Sequence, residues 1–130
     1  MTTRDVISTA AAPAAAGPYN QAIRAGDLVF TAGQLGIDPD TGALVGDDVA
    51  AQADRALTNL GAILDAAGSG LDRLVKVTVF LAAIEDWPAV NEVYVRRIPE
   101  PFPARSAFAV GALPLGGRVE IEAVAVVGAG

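Results

Sequence analysis

Histidine and cysteine are both missing from this 130-residue chain, and tryptophan and methionine occur once each. Without histidine or cysteine, neither Ser-His nor Cys-His nucleophilic catalysis can be assembled within the chain, and zinc sites of the usual nitrogen and sulfur type are excluded too. A disulfide framework is likewise impossible, and cysteine usage carries no signal of the compartment. Charge is also scarce, at 18% of residues against 52% hydrophobic. That balance excludes disorder and predicts a substantial core. Yet no uninterrupted apolar run approaches the ~18 residues of a membrane span. Carboxylate, guanidinium, phenol, hydroxyl, amide and backbone are what remain for chemistry.

Positive charge is in short supply: nine basic residues face fifteen acidic ones, for a net charge of −6. The basic residues are scattered, with only Arg96 and Arg97 adjacent. Nucleic acid and anionic membrane, which demand a basic face, are not expected partners. The Ala-rich segment Met1 to Ala16 has no basic n-region and is broken by Pro13, so a cytoplasmic protein without a secretory signal is expected. The length suits one domain over residues 1–130. An apolar surplus of this size predicts association with further copies of the chain.

Local patterns predict an order ββ(β)-α-β-α-β-β. Val6 and Ile7 suit a short first strand, and Gln21 to Ala32 read as a hairpin turning at Ala25-Gly26-Asp27. Asp38-Pro39-Asp40-Thr41-Gly42 is a turn. Asp47 or Asp48 caps a helix whose apolar positions run from Val49 to Ala67, with Gly68 as terminator. Leu71 to Leu81 alternates as a central strand, with Val75, Val77, Val79 and Leu81 on one face. Asp86 is expected to cap a second helix carrying Trp87, Val90, Tyr94 and Ile98, which ends at Pro99, Pro101 and Pro103. Arg105 to Val110 and Arg118 to Val127 supply two more strands. Two helices cannot cover both faces of about six strands, so an α/β (α+β) layering with both helices on one face follows. In the last strand Glu120 and Glu122 share a face with Val124 and Val126, a mixture suited to a subunit interface containing a polar site.

Few side chains qualify for chemistry. Arg105 follows a rigid Phe102-Pro103-Ala104 segment into a strand, where its guanidinium can receive a carboxylate in a bidentate fork or pair with Glu120 or Glu122. Glu120 and Glu122, two apart on one strand face, can divide acid and base roles or simply face solvent. Tyr19, in Gly17-Pro18-Tyr19-Asn20-Gln21, can donate to a substrate oxygen or be satisfied locally. Gly33 permits close approach by a ligand or marks a bend, and Asn91 is a helix amide. Gly116-Gly117 lacks the strand-to-helix setting of a phosphate loop.

Gly17-Pro18-Tyr19-x-Gln21, Ala32-Gly33-Gln34, Phe102-Pro103-Ala104-Arg105-Ser106 and Val119-Glu120-Ile121-Glu122-Ala123 occur in an order and spacing that resemble the RidA/YjgF family, the reactive intermediate deaminases. The resemblance covers nearly the whole chain. It implies a chorismate-mutase-like α/β fold and a homotrimer with active sites in clefts between subunits. The implied reaction hydrolyses 2-imino acids, tautomers of enamines released by pyridoxal-phosphate dehydratases, to 2-oxo acids and ammonia. By position, Arg105 would clamp the carboxylate and Glu120 would orient water, while Tyr19 and Asn91 line the cleft. Backbone groups near Gly33 and Ala107 would contact the substrate. An imine carbon is already electrophilic, so no metal or other cofactor is implied. Two departures stand out: Ala107 occupies a position where many members carry cysteine, and Ala32 one where many carry serine.

A second reading is a non-catalytic module that binds a small metabolite in the same cleft and regulates a partner. It predicts saturable 2-oxo acid binding without imine hydrolysis. A pericyclic chorismate-type enzyme would need several converging cations for a dianion, and none cluster in the sequence. A ribonuclease role, also attached to this family, is disfavoured by the acidic balance and the missing histidines.

Overall fold

The computed structural model describes residues 3–128; Met1 and Thr2 of the Ala-rich segment, and Ala129 and Gly130 at the other end of the expected domain, lie outside the described residues. The strands are β1 (Arg4–Ile7), β2 (Ala22–Ala25), β3 (Leu28–Thr31), β4 (Gln34–Leu35), β5 (Leu74–Leu81), β6 (Ala104–Ala109) and β7 (Val119–Val126), and the helices α1 (Val49–Ala66) and α2 (Trp87–Arg97). They form one mixed sheet in the order β1-β2-β3-β7-β5-β6, with β4 added beside β7. The expected sheet of about six strands thus has seven. The extra strand is the two-residue β4, too short for alternation to reveal it. All pairings are antiparallel except β5 with β6. A parallel pair needs a crossover, and α2 supplies it.

Local signals explain most boundaries. Gly26 turns the β2–β3 hairpin with φ 61°, a left-handed value that side chains resist. The Asp48 carboxylate accepts from Ala51 N and starts α1, while Gly68 at φ 82° lies just beyond its end. Leu57, Leu60, Ile63 and Leu64 of α1 are all but completely buried, each contributing roughly 1.5–3 kcal/mol through burial. The larger core cluster joins α1 and α2 to Val77, Val79 and Leu81 of β5 and to Val119, Ile121 and Ala123 of β7. Both helices therefore cover one face of the sheet. On the other face Glu120, Glu122 and Val124 are half-buried, while Phe30, Phe108 and Val126 are exposed.

Three expectations need correction. Leu71–Arg73 forms a 3-10 turn, not strand, because Leu71 drops its side chain onto the core as the chain leaves α1. Val75 does not share the buried face of Val77. A register shift between Leu74 and Lys76 leaves it unpaired, and it turns outward at 44% exposure. Asp86 stands at the start of α2 without capping it; both of its oxygens accept from Arg118 Nη2, at 2.9 and 3.0 Å, a stronger charge-assisted arrangement.

Two buried amides of α1 tie down the chain after β4. Asn59 Nδ2 donates to Leu35 O at 3.2 Å and Ile37 O at 2.9 Å. Gln52 Nε2 donates to Gly46 O, and its Oε1 accepts from Arg118 N, which leads into β7. Gly36 lies between these anchors, and a Cβ there would come within 2.5 Å of Gln52 Cα. Close contact with α1 thereby fixes both β4 and the start of β7, the two segments that flank Glu120.

Candidate active site

Arg105 leaves β6 on the helix-covered side and lies along α2. Trp87, Asn91 and Tyr94 are spaced i, i+4, i+7, so helical geometry places them on one stripe. The guanidinium carbon lies 4.4 Å from the Trp87 ring centroid and 4.6 Å from that of Tyr94. Arg105 Nη1 donates to Asn91 Oδ1 at 3.0 Å. No carboxylate among the described residues pairs with Arg105. Asn91, Tyr94, Val95, Phe102, Pro103 and Arg105 line a cavity of about 370 Å³. Tyr94 is only 2% exposed, and its hydroxyl has no hydrogen-bond partner among the described residues. Burial pushes its pKa up, and the Arg105 guanidinium, stacked on the ring, offsets part of that rise.

Glu120 belongs to a different pocket, of about 330 Å³, bounded by Ala14–Ala16, Tyr19, Gly33, Gln34 and Leu115 among others. Its carboxylate lies directly over Gly33, where any Cβ would overlap Oε2. The bareness of Gly33 is what admits the side chain. Glu120 has no hydrogen bond or ion pair among the described residues. Burial raises its pKa above the usual carboxylate range, and the neighbouring Glu122 charge raises it further. Tyr19 is half-exposed, with its hydroxyl accepting from Ala16 N at 3.2 Å. Gln21, buried behind it, accepts from Thr9 N and donates to the carbonyls of Thr9, Ala12 and Pro13, shaping the loop that forms one wall.

The expected site residues therefore fall into two groups. Arg105 and Asn91 meet in the first pocket, with Ala107 two residues along the same side of β6, the last strand of the sheet. Tyr19, Gly33 and Glu120 meet in the second. The pockets share no residue. In β7 Val119 and Ile121 face the helices, so Glu120 faces away from them, whereas Arg105 lies against α2. Glu120 is aligned through Phe80 with Phe108, three residues from Arg105. The two charged groups thus attach about 10 Å apart along the strands and about 10 Å across them, on opposite faces. An Arg105 ion pair with Glu120 or Glu122, the alternative left open by the sequence, is absent. Trp87, Tyr94 and Leu115 escaped sequence reasoning as site residues. The first two read as helix core, and Leu115 sits in a loop at φ 59° with 67% exposure.

No group of three or more acidic side chains among the described residues is arranged to hold a metal ion. No described helix is long and apolar enough to cross a membrane.

Residues 9–127 match the family model described as Endoribonuclease L-PSP. A 2-iminobutanoate/2-iminopropanoate deaminase of Bos taurus is 54% identical over 125 residues, covering 96% of this chain and 91% of that protein. The crystal structure of RidA from an Antarctic Psychrobacter is 45% identical, superposes with a TM-score of 0.91, and covers 95% of this chain and 99% of its own. That of E. coli TdcF with bound serine is 39% identical with a TM-score of 0.89, covering 95% of this chain and 99% of its own. With a match across nearly its full length, the chain belongs to the Endoribonuclease L-PSP family, in which its relatives include RidA.

Proposed function

We propose that this chain is a RidA-type deaminase that hydrolyses 2-imino acids and their enamine tautomers to 2-oxo acids and ammonia, in a cleft between subunits of a homotrimer. The observation that carries the arrangement is the separation of two unpaired charged groups onto opposite faces of one sheet. A single chain cannot bring them together, whereas a copy docked by its open sheet face can set its Glu120 beside this chain's Arg105. The 54% identical bovine relative, named as a 2-iminobutanoate/2-iminopropanoate deaminase, supports the reaction.

The chemistry follows from the two groups. Arg105 receives the substrate carboxylate, fixing the imine carbon within reach of a water held by Glu120. Glu120 takes a proton as the water oxygen bonds to the imine carbon, and the C=N double bond opens onto nitrogen. Returned to nitrogen, that proton gives the carbinolamine; Glu120 then takes the hydroxyl proton as C=O forms and the C–N bond breaks, and delivers it to nitrogen, so ammonia leaves with both protons of the water. A raised pKa makes this carboxylate a stronger base toward the water than an ordinary one, while its conjugate acid can still return the proton. Backbone groups beside Gly33 and on the outer edge of β6 at Ala107 contact the substrate, and Tyr19 and Asn91 line the cleft. No cofactor enters these steps, the site belongs to one domain spanning 1–130, and the enzyme works in the cytoplasm.

The test generates imino acids in situ from a panel of amino acids with an amino-acid oxidase and follows 2-oxo acid formation. Acceleration by the protein that vanishes in Arg105→Ala is expected; undiminished turnover in that variant removes Arg105 from the mechanism. The metabolite-binding alternative is favoured by the relative solved with serine bound, and saturable 2-oxobutanoate binding without acceleration on any imine would select it. A net charge of −6 with dispersed basic residues speaks against RNA as substrate, and RNA cleavage that co-purifies with the wild-type protein but is lost in Glu120→Gln would reverse this.

A further inference from the structure

We propose that Trp87 and Tyr94 are positioning residues for the deaminase reaction: they clamp the Arg105 guanidinium between their rings and so govern how tightly the substrate carboxylate is held. The inference rests on the assignment of Arg105 as carboxylate receiver. Arg105 differs from the chain's ion-paired arginines. Arg97 reaches Asp54, and Arg118 grips Asp86. Arg105 is exposed, where Arg97 and Arg118 are half-buried, and has no acidic partner among the described residues, yet its guanidinium is fixed by two rings and an amide. Guanidinium is weakly hydrated and stacks on aromatic faces, so the rings restrain it without neutralising it.

The stripe of α2 makes this possible. Trp87 and Tyr94 are two turns apart with Asn91 between them, so the guanidinium lies along the helix, held by a ring at each end and an acceptor in the middle. An acidic residue at any of the three positions would have occupied the donors meant for substrate. Asn91 Oδ1 takes only one of the five guanidinium N–H groups. Restricting a long side chain before substrate arrives removes ordering that binding would otherwise have to supply, which tightens binding of the carboxylate without touching the reacting carbon. The clamp therefore acts on KM more than on kcat.

Trp87 is the chain's only tryptophan, so its emission reports directly on the clamped guanidinium. Titration with 2-oxobutanoate is expected to change that emission saturably in the wild type, while 2-oxobutanamide, which has no carboxylate, leaves it unchanged. The acid-induced change should be lost in Arg105→Ala. In steady-state hydrolysis of 2-iminobutanoate, Trp87→Leu is expected to raise KM roughly 5- to 30-fold with kcat within about threefold, because the apolar packing stays and the ring face goes. Trp87→Phe and Tyr94→Phe, which keep a ring, should return KM to within about threefold of wild type. Unaltered KM in Trp87→Leu, an equal loss in Trp87→Phe, or calorimetric 2-oxobutanoate binding with silent Trp87 emission would each overturn the clamp. Should Arg105→Ala keep full turnover, the carboxylate assignment itself fails. Loss in Arg105→Ala with an unaffected Trp87→Leu sinks the clamp alone.

Discussion

Arg105 lies exposed between two aromatic rings of α2, whereas Glu120 sits half-buried over the bare backbone of Gly33 on the opposite face of the same sheet. Both are charged and without an ion pair among the described residues, but they are prepared by opposite physical means. A guanidinium keeps its charge at any accessible pH, so only its orientation needs setting, and flat apolar surfaces do that without neutralising it. A carboxylate that is to accept and release a proton needs its pKa moved. Partial desolvation and a like-charged neighbour, Glu122, move it upward. On the proposed mechanism the first group binds and the second reacts.

The sharpest way to break this comparison is to neutralise each half in turn. Glu120→Gln is expected to lower kcat by about 10²- to 10⁴-fold, the usual worth of a positioned acid–base group, while substrate KM stays near wild type. Arg105→Ala should lose roughly 2–4 kcal/mol of transition-state binding, a drop of about 30- to 1,000-fold in kcat/KM. If the halves come from different copies, co-refolding these two inactive variants should restore activity, up to about a quarter of wild-type sites in randomly mixed trimers. No recovery in verified mixed trimers would mean that both groups act from one chain.

Smaller perturbations sharpen it further. Gly33→Ala places a methyl group against Glu120 Oε2, and the carboxylate must swing aside. A loss of roughly 10- to 100-fold in kcat is expected, with thermal stability nearly unchanged because the displaced group is the end of a flexible side chain. Asn59→Ala strands the Leu35 and Ile37 carbonyls and should cost about 1–3 kcal/mol in urea unfolding. Glu122→Gln gives the subtlest change. With Glu120 raised, kcat/KM falls as pH drops through a value above the ordinary carboxylate range, because protonation removes the base. Deleting the Glu122 charge lowers the Glu120 pKa, so this acid limb should move to lower pH. A limb that stays in place would show that burial alone tunes Glu120.

Much of this molecule is legible from local pattern because each local signal acts over a few residues. Asp48 and Gly68 bound α1, Gly26 turns the first hairpin, and the alternation of β7 puts Glu120 and Val119 on opposite faces. Legibility failed where a tertiary contact outbid a local one. Asp86 reads as a cap but is taken by Arg118, 32 residues away in sequence, and Val75 reads as buried until a bulge turns it out. The two-residue β4 exists only because β7 and the amides of α1 hold it.

The candidate site divides the same way. The identities of Arg105, Glu120, Tyr19 and Gly33, and the absence of histidine and cysteine, are properties of the sequence, and they confine the chemistry to carboxylate, guanidinium, phenol, hydroxyl, amide and backbone. Only the fold places Trp87 and Tyr94 on Arg105 and the Glu120 carboxylate over Gly33. Only the fold, too, sets the charged pair on opposite faces. Sequence spacing specifies which side of its own element a residue occupies, but which elements meet depends on how strands are ordered in the sheet and which face the helices cover, and long-range packing decides both.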